Sequence, residues 1–169
     1  MKMTSAQAAK LLRQLNHELR TLQLREGNTC SFVAALEEDI ESVRPAYDFS
    51  EMSAAQAEVE KKIRKVKHAI NVFNTVTAVP DFDMTIDEML VFLPQLTKKC
   101  ETLSKMKDAL PKVRENAGYS RSSSIIDYRY ANYDIELVGK HYAETSELLS
   151  KAQTALDLVN NTVEFEINI

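Results

Sequence analysis

The chain has 169 residues, enough for one domain with a real core, and only 3 Gly and 4 Pro. That scarcity excludes collagen-like, linker-rich and turn-dense all-β designs, and 44% hydrophobic with 27% charged residues excludes a disordered chain. The net charge of −4 gives no global drive toward nucleic acid or anionic membrane, though a local patch can still bind either.

The first predicted helix covers residues 5–25, where Ala8, Leu12, Leu15, Leu19 and Leu22 recur three and four residues apart. Residues 28–36 (NTCSFVAAL) read as a strand, although Val33, Leu36, Ile40 and Val43 also fit helical spacing. A second helix over 50–77 carries Val59, Ile63, Val66, Ile70 and Phe73 in the same period, with Ser50 as its cap and Glu51 in the first turn. Pro80 and Asp81 break the chain there.

The third helix, 85–110, opens with Thr85-Ile86-Asp87-Glu88, the pattern of a capping box. Its seam is Ile86, Met89, Leu93, Leu96, Cys100 and Leu103. Pro94 lies inside it and should kink the helix, or mark a second start; Pro111 ends it. Gly118–Ser124 reads as a loop and 125–130 (IIDYRY) as a strand. The fourth helix, 132–161, repeats the seam through Ile135, Val138, Tyr142, Thr145, Leu149, Ala152, Leu156 and Val159. The tail 162–169 alternates strictly, with Val163, Phe165, Ile167 and Ile169 on one face, as a half-buried strand does. A lone strand needs a partner, and 28–36, 125–130 or a second subunit are the candidates.

These seams predict a mainly α fold in a single domain spanning 1–169. It is an antiparallel bundle of about four long, coiled-coil-like helices with a small β element that includes the C-terminal strand. Leu11, Leu90, Leu148 and Ala155 widen the seams, which favours a bundle over a two-stranded coil.

Chemistry-bearing motifs are scarce. Cys30 and Cys100 lack any CxxC spacing, and His17, His68 and His141 stand apart with no Glu-x-x-His. No GxGxxG, GxxxxGK[ST] or GxSxG occurs. The expectation is a protein that is not an enzyme and uses no cofactor or metal. The N-terminus lacks the apolar stretch of a signal peptide and no apolar run reaches 18 residues, so the expected location is the cytoplasm, with no membrane partner.

Three features are candidates for contact. The run Lys61-Lys62-Ile63-Arg64-Lys65-Val66-Lys67-His68 places its cations off the seam. A hairpin turning near Asp81 would set Arg64 and Lys65 across from Lys98 and Lys99, making an anion or nucleic-acid patch from Lys61, Lys62, Arg64, Lys65, Lys98 and Lys99. The competing reading is a solvated face balanced by Glu51, Glu58 and Glu60. Five of the six tyrosines lie between Tyr119 and Tyr142, beside an arginine. Tyr128, Tyr130 and Tyr133, with Val163, Phe165 and Ile167, are therefore candidate interface anchors. The polar residues His68, Asn71, Asn74, Thr75 and Thr77 mark a register device or a small binding site.

The segments IRKVKHAINVFNTVT (63–77), DMTIDEML (83–90), SIIDYRYANYDIELV (124–138) and QTALDLVNNTVEFEI (153–167) resemble an uncharacterised bacterial family of small helical proteins, some distant members of which are labelled septicolysin. The likeness runs from about Tyr47 onward, with Pro94 as a departure. It implies a helical fold and no catalytic motif, so it brings no functional residues. Residues and resemblance together predict a homo-oligomeric structural or interaction protein. The alternative is a nucleic-acid or anion-binding accessory protein using the helical cations.

Overall fold

The structure, a computed structural model, describes residues 1–115 and 127–169. It is mainly helical: α1 (Ser5–Thr29), α2 (Ile40–Val43), α3 (Phe49–Val76), α4 (Ile86–Lys107) and α5 (Ile135–Thr162). Two short ribbons accompany them, β1 (Lys2–Thr4) antiparallel to β4 (Glu164–Glu166), and β2 (Lys112–Arg114) antiparallel to β3 (Tyr128–Tyr130). Contacts divide the chain into two compact units, Met1–Thr77 with Leu158–Ile169, and Ala78–Asp157.

In the first unit α1 and α3 form an antiparallel pair, since Gln56 near the start of α3 donates to Glu26 near the end of α1 (2.7 Å). Ala8 and Leu15 meet Val59, Ile63 and Val66 in one core, with Leu12, Leu19, Leu22 and Ile70 packed around it. The predicted seams of these two helices are therefore the buried ones. The cap of α3 is Asp48 rather than Ser50: its carboxylate accepts from Glu51 N (2.9 Å), so the helix starts one residue earlier. An ionised Asp at that place serves the first-turn N–H groups at least as well as a serine hydroxyl.

The tail completes this core. Ile167 is 1% exposed within the α1–α3 cluster, and Phe165 stacks on Phe73 with centroids 4.4 Å apart. Its partner is the N-terminal stretch, with Lys2 opposite Glu166, Met3 opposite Phe165 and Thr4 opposite Glu164. The ladder extends one pair further, Met1 N to Ile167 O at 2.7 Å and Ile167 N to Met1 O at 2.9 Å. Residues 28–36 do not pair with the tail, nor do 127–130, the described part of the other candidate. Residues 28–36 are not a strand: α1 runs to Thr29, and Val33 and Leu36 are 93% and 102% exposed. With the tail already paired to β1, that stretch has no ladder to join. The helical spacing it also showed is realised only in the single turn Ile40–Val43.

In the second unit the loop after α3 turns at Asp81, whose φ of 65° is the left-handed conformation that Asp tolerates best after Gly and Asn. The Thr85–Glu88 capping box forms as the sequence predicts. The resulting hydrogen bonds from Thr85 hold the Glu88 carboxyl below its ordinary range. Pro94 lies within α4, which continues through it, so no second helix starts there. Helix α4 ends at Lys107, before the predicted 110, because Asp108 caps it and Leu110 leaves the helical path. Residues Ile86, Met89 and Leu96 of α4 and Val138, Thr145, Ala152 and Leu156 of α5 are buried. Tyr133 donates to Met106 O (3.0 Å) and Lys107 lies 4.9 Å over the Tyr142 ring, which sets the start of α5 beside the end of α4. Leu90 and Leu148, read as widening the seams, are instead 47% and 38% exposed. The predicted strand 125–130 is observed over 128–130; Ile125 and Ile126, with Tyr119 and the Gly118–Ser124 loop, lie outside the described residues.

The tail's contribution is directly measurable. Ile167→Ala should destabilise the first unit by about 2–4 kcal/mol in urea denaturation, the range for truncating a buried aliphatic chain. Val163→Ala, at a 39% exposed position, should cost well under half of that. Equal losses at the two positions would contradict the packing described.

Candidate functional site

The residues singled out by sequence are distributed over both units. Lys61, Lys62, Arg64 and Lys65 lie on α3 in the first unit, and Lys98 and Lys99 on α4 in the second. Lys61, Arg64 and Lys65 are exposed and Lys62 half-buried. Two of these cations have acids one turn back on their own helix: Lys61 is 4.0 Å from Glu58 and Arg64 3.9 Å from Glu60. At these exposures such pairs hold the side chains only loosely.

Of the tail residues, Ile167 belongs to the core, which removes it as an interface anchor; Phe165 is half-buried and Val163 exposed. Phe165 and Ile167 of the strand's apolar face pack within the chain, while Val163 and Ile169 at its ends are exposed. Tyr128 and Tyr130 lie on β3, 44% and 61% exposed, and Tyr133 spends its hydroxyl on the end of α4.

The polar stretch at the end of α3 borders an open groove of about 390 Å³ in the first unit. Ala69, Val72, Phe73 and Val76 of α3 and Phe165 of β4 form its apolar floor, and Lys65, His68, Glu166 and Asn168 its rim. Val72 and Val76 are 47% and 71% exposed, although they sit on a helix whose opposite face is fully buried. Asn74 Oδ1, nearby in sequence, is buried with no hydrogen-bond partner among the described residues. No group of three or more His, Cys, Asp and Glu side chains able to hold a metal occurs among the described residues. Nor is any described helix long and apolar enough to cross a membrane.

A second recess, about 420 Å³, opens where the chain enters α3 and is lined by Leu22, Arg25, Tyr47, Glu51 and Met52. Here the Glu26 carboxylate accepts from both Tyr47 OH (3.0 Å) and Gln56 Nε2 (2.7 Å). Both carboxylate oxygens are thus occupied, and the contacts pin the 44–48 segment to α1 and α3. The Tyr47 phenol is held above its ordinary value, first by partial burial and then by its hydrogen bond to Glu26 and the nearby negative charge. Nothing in the sequence marks this clamp, because its members lie 21 and 30 residues apart.

No protein-family model matches the chain, and no curated protein matches it. A solved structure does: a protein from Corynebacterium diphtheriae described as functionally unknown and conserved, with a TM-score of 0.60 and 19% identity, covering 98% of this chain and 100% of that one. The likeness establishes a shared, mainly helical fold across the full length and carries no function with it.

The clamp predicts a pH signature. A tyrosine whose folded-state pKa lies above its unfolded value contributes stability that is whole below about pH 10 and is lost as pH rises through the folded value. Tyr47→Phe should therefore be less stable than the parent at neutral pH, and that difference should shrink above pH ~10. A difference that stayed constant through the alkaline range would show that the hydroxyl is not the group involved.

Proposed function

We propose that the protein is a non-enzymatic self-associating interaction protein that docks on a second copy through the groove beside the end of α3. The observation that carries this reading is the exposed floor of Val72 and Val76 continuous with Phe73 and Phe165, ringed by Lys65, His68, Glu166 and Asn168. An apolar centre within a polar rim is the anatomy of a protein–protein contact. A stable pair buries roughly 800 Å² per partner, so the groove supplies the centre and neighbouring helix surface the remainder.

The helix face is favoured over the strand edge as the point of contact. Pairing β4 with a second β4 about a two-fold at Phe165 would set Glu164 opposite Glu166 twice, and like charges directly opposed across a ladder are unfavourable. The acidic edge of β4 thus guards against strand-to-strand association while leaving α3 free to dock. The helical cations give less support to the alternative of an anion or nucleic-acid patch, since Glu58 and Glu60 already stand beside Lys61 and Arg64.

Light scattering at low and high salt tests the reading. The wild-type chain should give one defined oligomer whose mass does not change with salt, because the contact is apolar. Val72→Asp with Val76→Asp should yield a monomer of unchanged helicity. A monomeric parent, or an oligomer that the double variant leaves intact, would overturn this assignment.

A further inference from the structure

The β2–β3 ribbon of the second unit is the part of the molecule whose surface chemistry the fold itself does not use. All six of its residues are exposed. Its register pairs Lys112 with Tyr130, Val113 with Arg129 and Arg114 with Tyr128. Directly opposed residues of an antiparallel pair point to the same side, so Lys112, Arg114, Tyr128 and Tyr130 share one face. The other face holds Val113 and Arg129, joined by Glu115 and Asp127, whose backbones continue the ladder (2.9 Å). Arg129 grips Glu115 there with two bonds of 2.8 and 2.6 Å. The ribbon therefore separates charge by face: its acids lie on one side with their own arginine, and two tyrosines with two cations lie on the other. Among the described residues neither Lys112 nor Arg114 has an ion-pair partner.

We propose that this face binds single-stranded nucleic acid, Tyr128 and Tyr130 stacking on unpaired bases while Lys112 and Arg114 take the phosphates. Each element of the proposal has a reason in the geometry. Tyrosines two residues apart along a strand are about 6.6 Å apart, twice the roughly 3.4 Å rise of stacked bases, so the pair suits bases splayed along an extended strand. A duplex hides its base faces and offers the rings nothing. A plain anion would have no use for the rings, and a protein partner, which could use the tyrosines, leaves two cations without carboxylates on the same face unexplained. Lys112 rests over both rings, 4.0 Å from the Tyr128 centroid and 5.4 Å from that of Tyr130. A phosphate offers that ammonium a full charge in place of a ring quadrupole. Its flexible stem then lets it leave the rings free for bases. This binding face is separate from the α3 groove and does not depend on self-association.

Fluorescence anisotropy of the full chain with labelled oligothymidylate and oligouridylate strands of about 12 nucleotides, and with a duplex of the same length, tests the proposal. Binding of either single strand well ahead of the duplex is expected; a ribo-strand preference would add a 2′-hydroxyl contact, and equal binding would mean stacking and phosphate alone. Tyr128→Ala or Tyr130→Ala should weaken binding about 5- to 150-fold, while Tyr128→Phe and Tyr130→Phe, which keep the ring, should leave it within about twofold. With two phosphate contacts the logarithmic salt slope should be about −1.4, falling by about half in Lys112→Gln. Circular dichroism of each variant separates lost binding from lost folding. The proposal fails if neither single strand binds or if the duplex binds equally well. It also fails if the alanine variants bind like the parent, or if reversing Lys61 and Lys65 on α3 abolishes binding while the ribbon variants do not.

Discussion

The first unit depends on one packing constraint: two helices cannot close the seam that α1 and α3 present to each other. Leucines at 11, 12, 15, 19 and 22 make the apolar stripe of α1 wider than a two-stranded contact needs, and α3 answers with Val59, Ile63, Val66, Ile70 and Phe73. A stripe of that width demands a third cover. The β1–β4 ribbon supplies it with Met3, Phe165 and Ile167 on its inner side. Because β1 and β4 stand at opposite ends of the sequence, this small ribbon, together with the packing of Phe165 and Ile167, ties the two segments of the first unit together. The ribbon is two strands wide, and Val72 and Val76 stay exposed in the groove beside Phe165.

How legible this was in the sequence follows from the length over which each pattern repeats. A helical seam sampled across 20 or more residues leaves little ambiguity, and every seam residue predicted for α5 is buried or half-buried. A three-residue strand shows alternation only when its flanks continue it, as residues 162–169 do around β4 and the residues after β1 do not. Lys2-Met3-Thr4 has nothing to distinguish it from any polar N-terminus; its partner, not its composition, makes it a strand. Residues 28–36 failed in the opposite direction. Their Val, Phe and Leu content reads as strand, but β propensity records fit to a half-buried surface, and no such surface is present there. The cap of α3 went astray by a similar margin because Asp48 and Ser50 are both good caps two residues apart, and only the path of the incoming chain chooses between them.

The candidate sites follow the same rule. The tyrosine cluster was visible as composition, yet which tyrosines share a face was not, because that depends on the register with Lys112–Arg114, the three residues after Pro111, to which the sequence assigns no element. The Glu26 clamp was invisible for a plainer reason. A hydrogen-bond network among a Glu, a Tyr and a Gln on three separate segments leaves no spacing to find.

The two sets of cations show why secondary structure decides what a charged residue can do. On α3, acids and bases alternate at one-turn intervals. The 3.6-residue period therefore brings Glu58 to Lys61 and Glu60 to Arg64, and the helix neutralises part of its own charge. On the ribbon the period is two, and it sorts the charges instead. Lys112 and Arg114 fall on one face, Glu115 on the other, and the antiparallel partner sorts Tyr128, Arg129 and Tyr130 in the same way. Arg129 then satisfies Glu115 on the acidic side, leaving the cations of the aromatic side without a carboxylate among the described residues. A chain with a net charge of −4 can thus present one small face that is wholly cationic and aromatic. Since long-range attraction of a polyanion is weak for such a chain, the nucleic-acid binding proposed for that face would have to rest on close contacts, with stacking carrying more of it than charge.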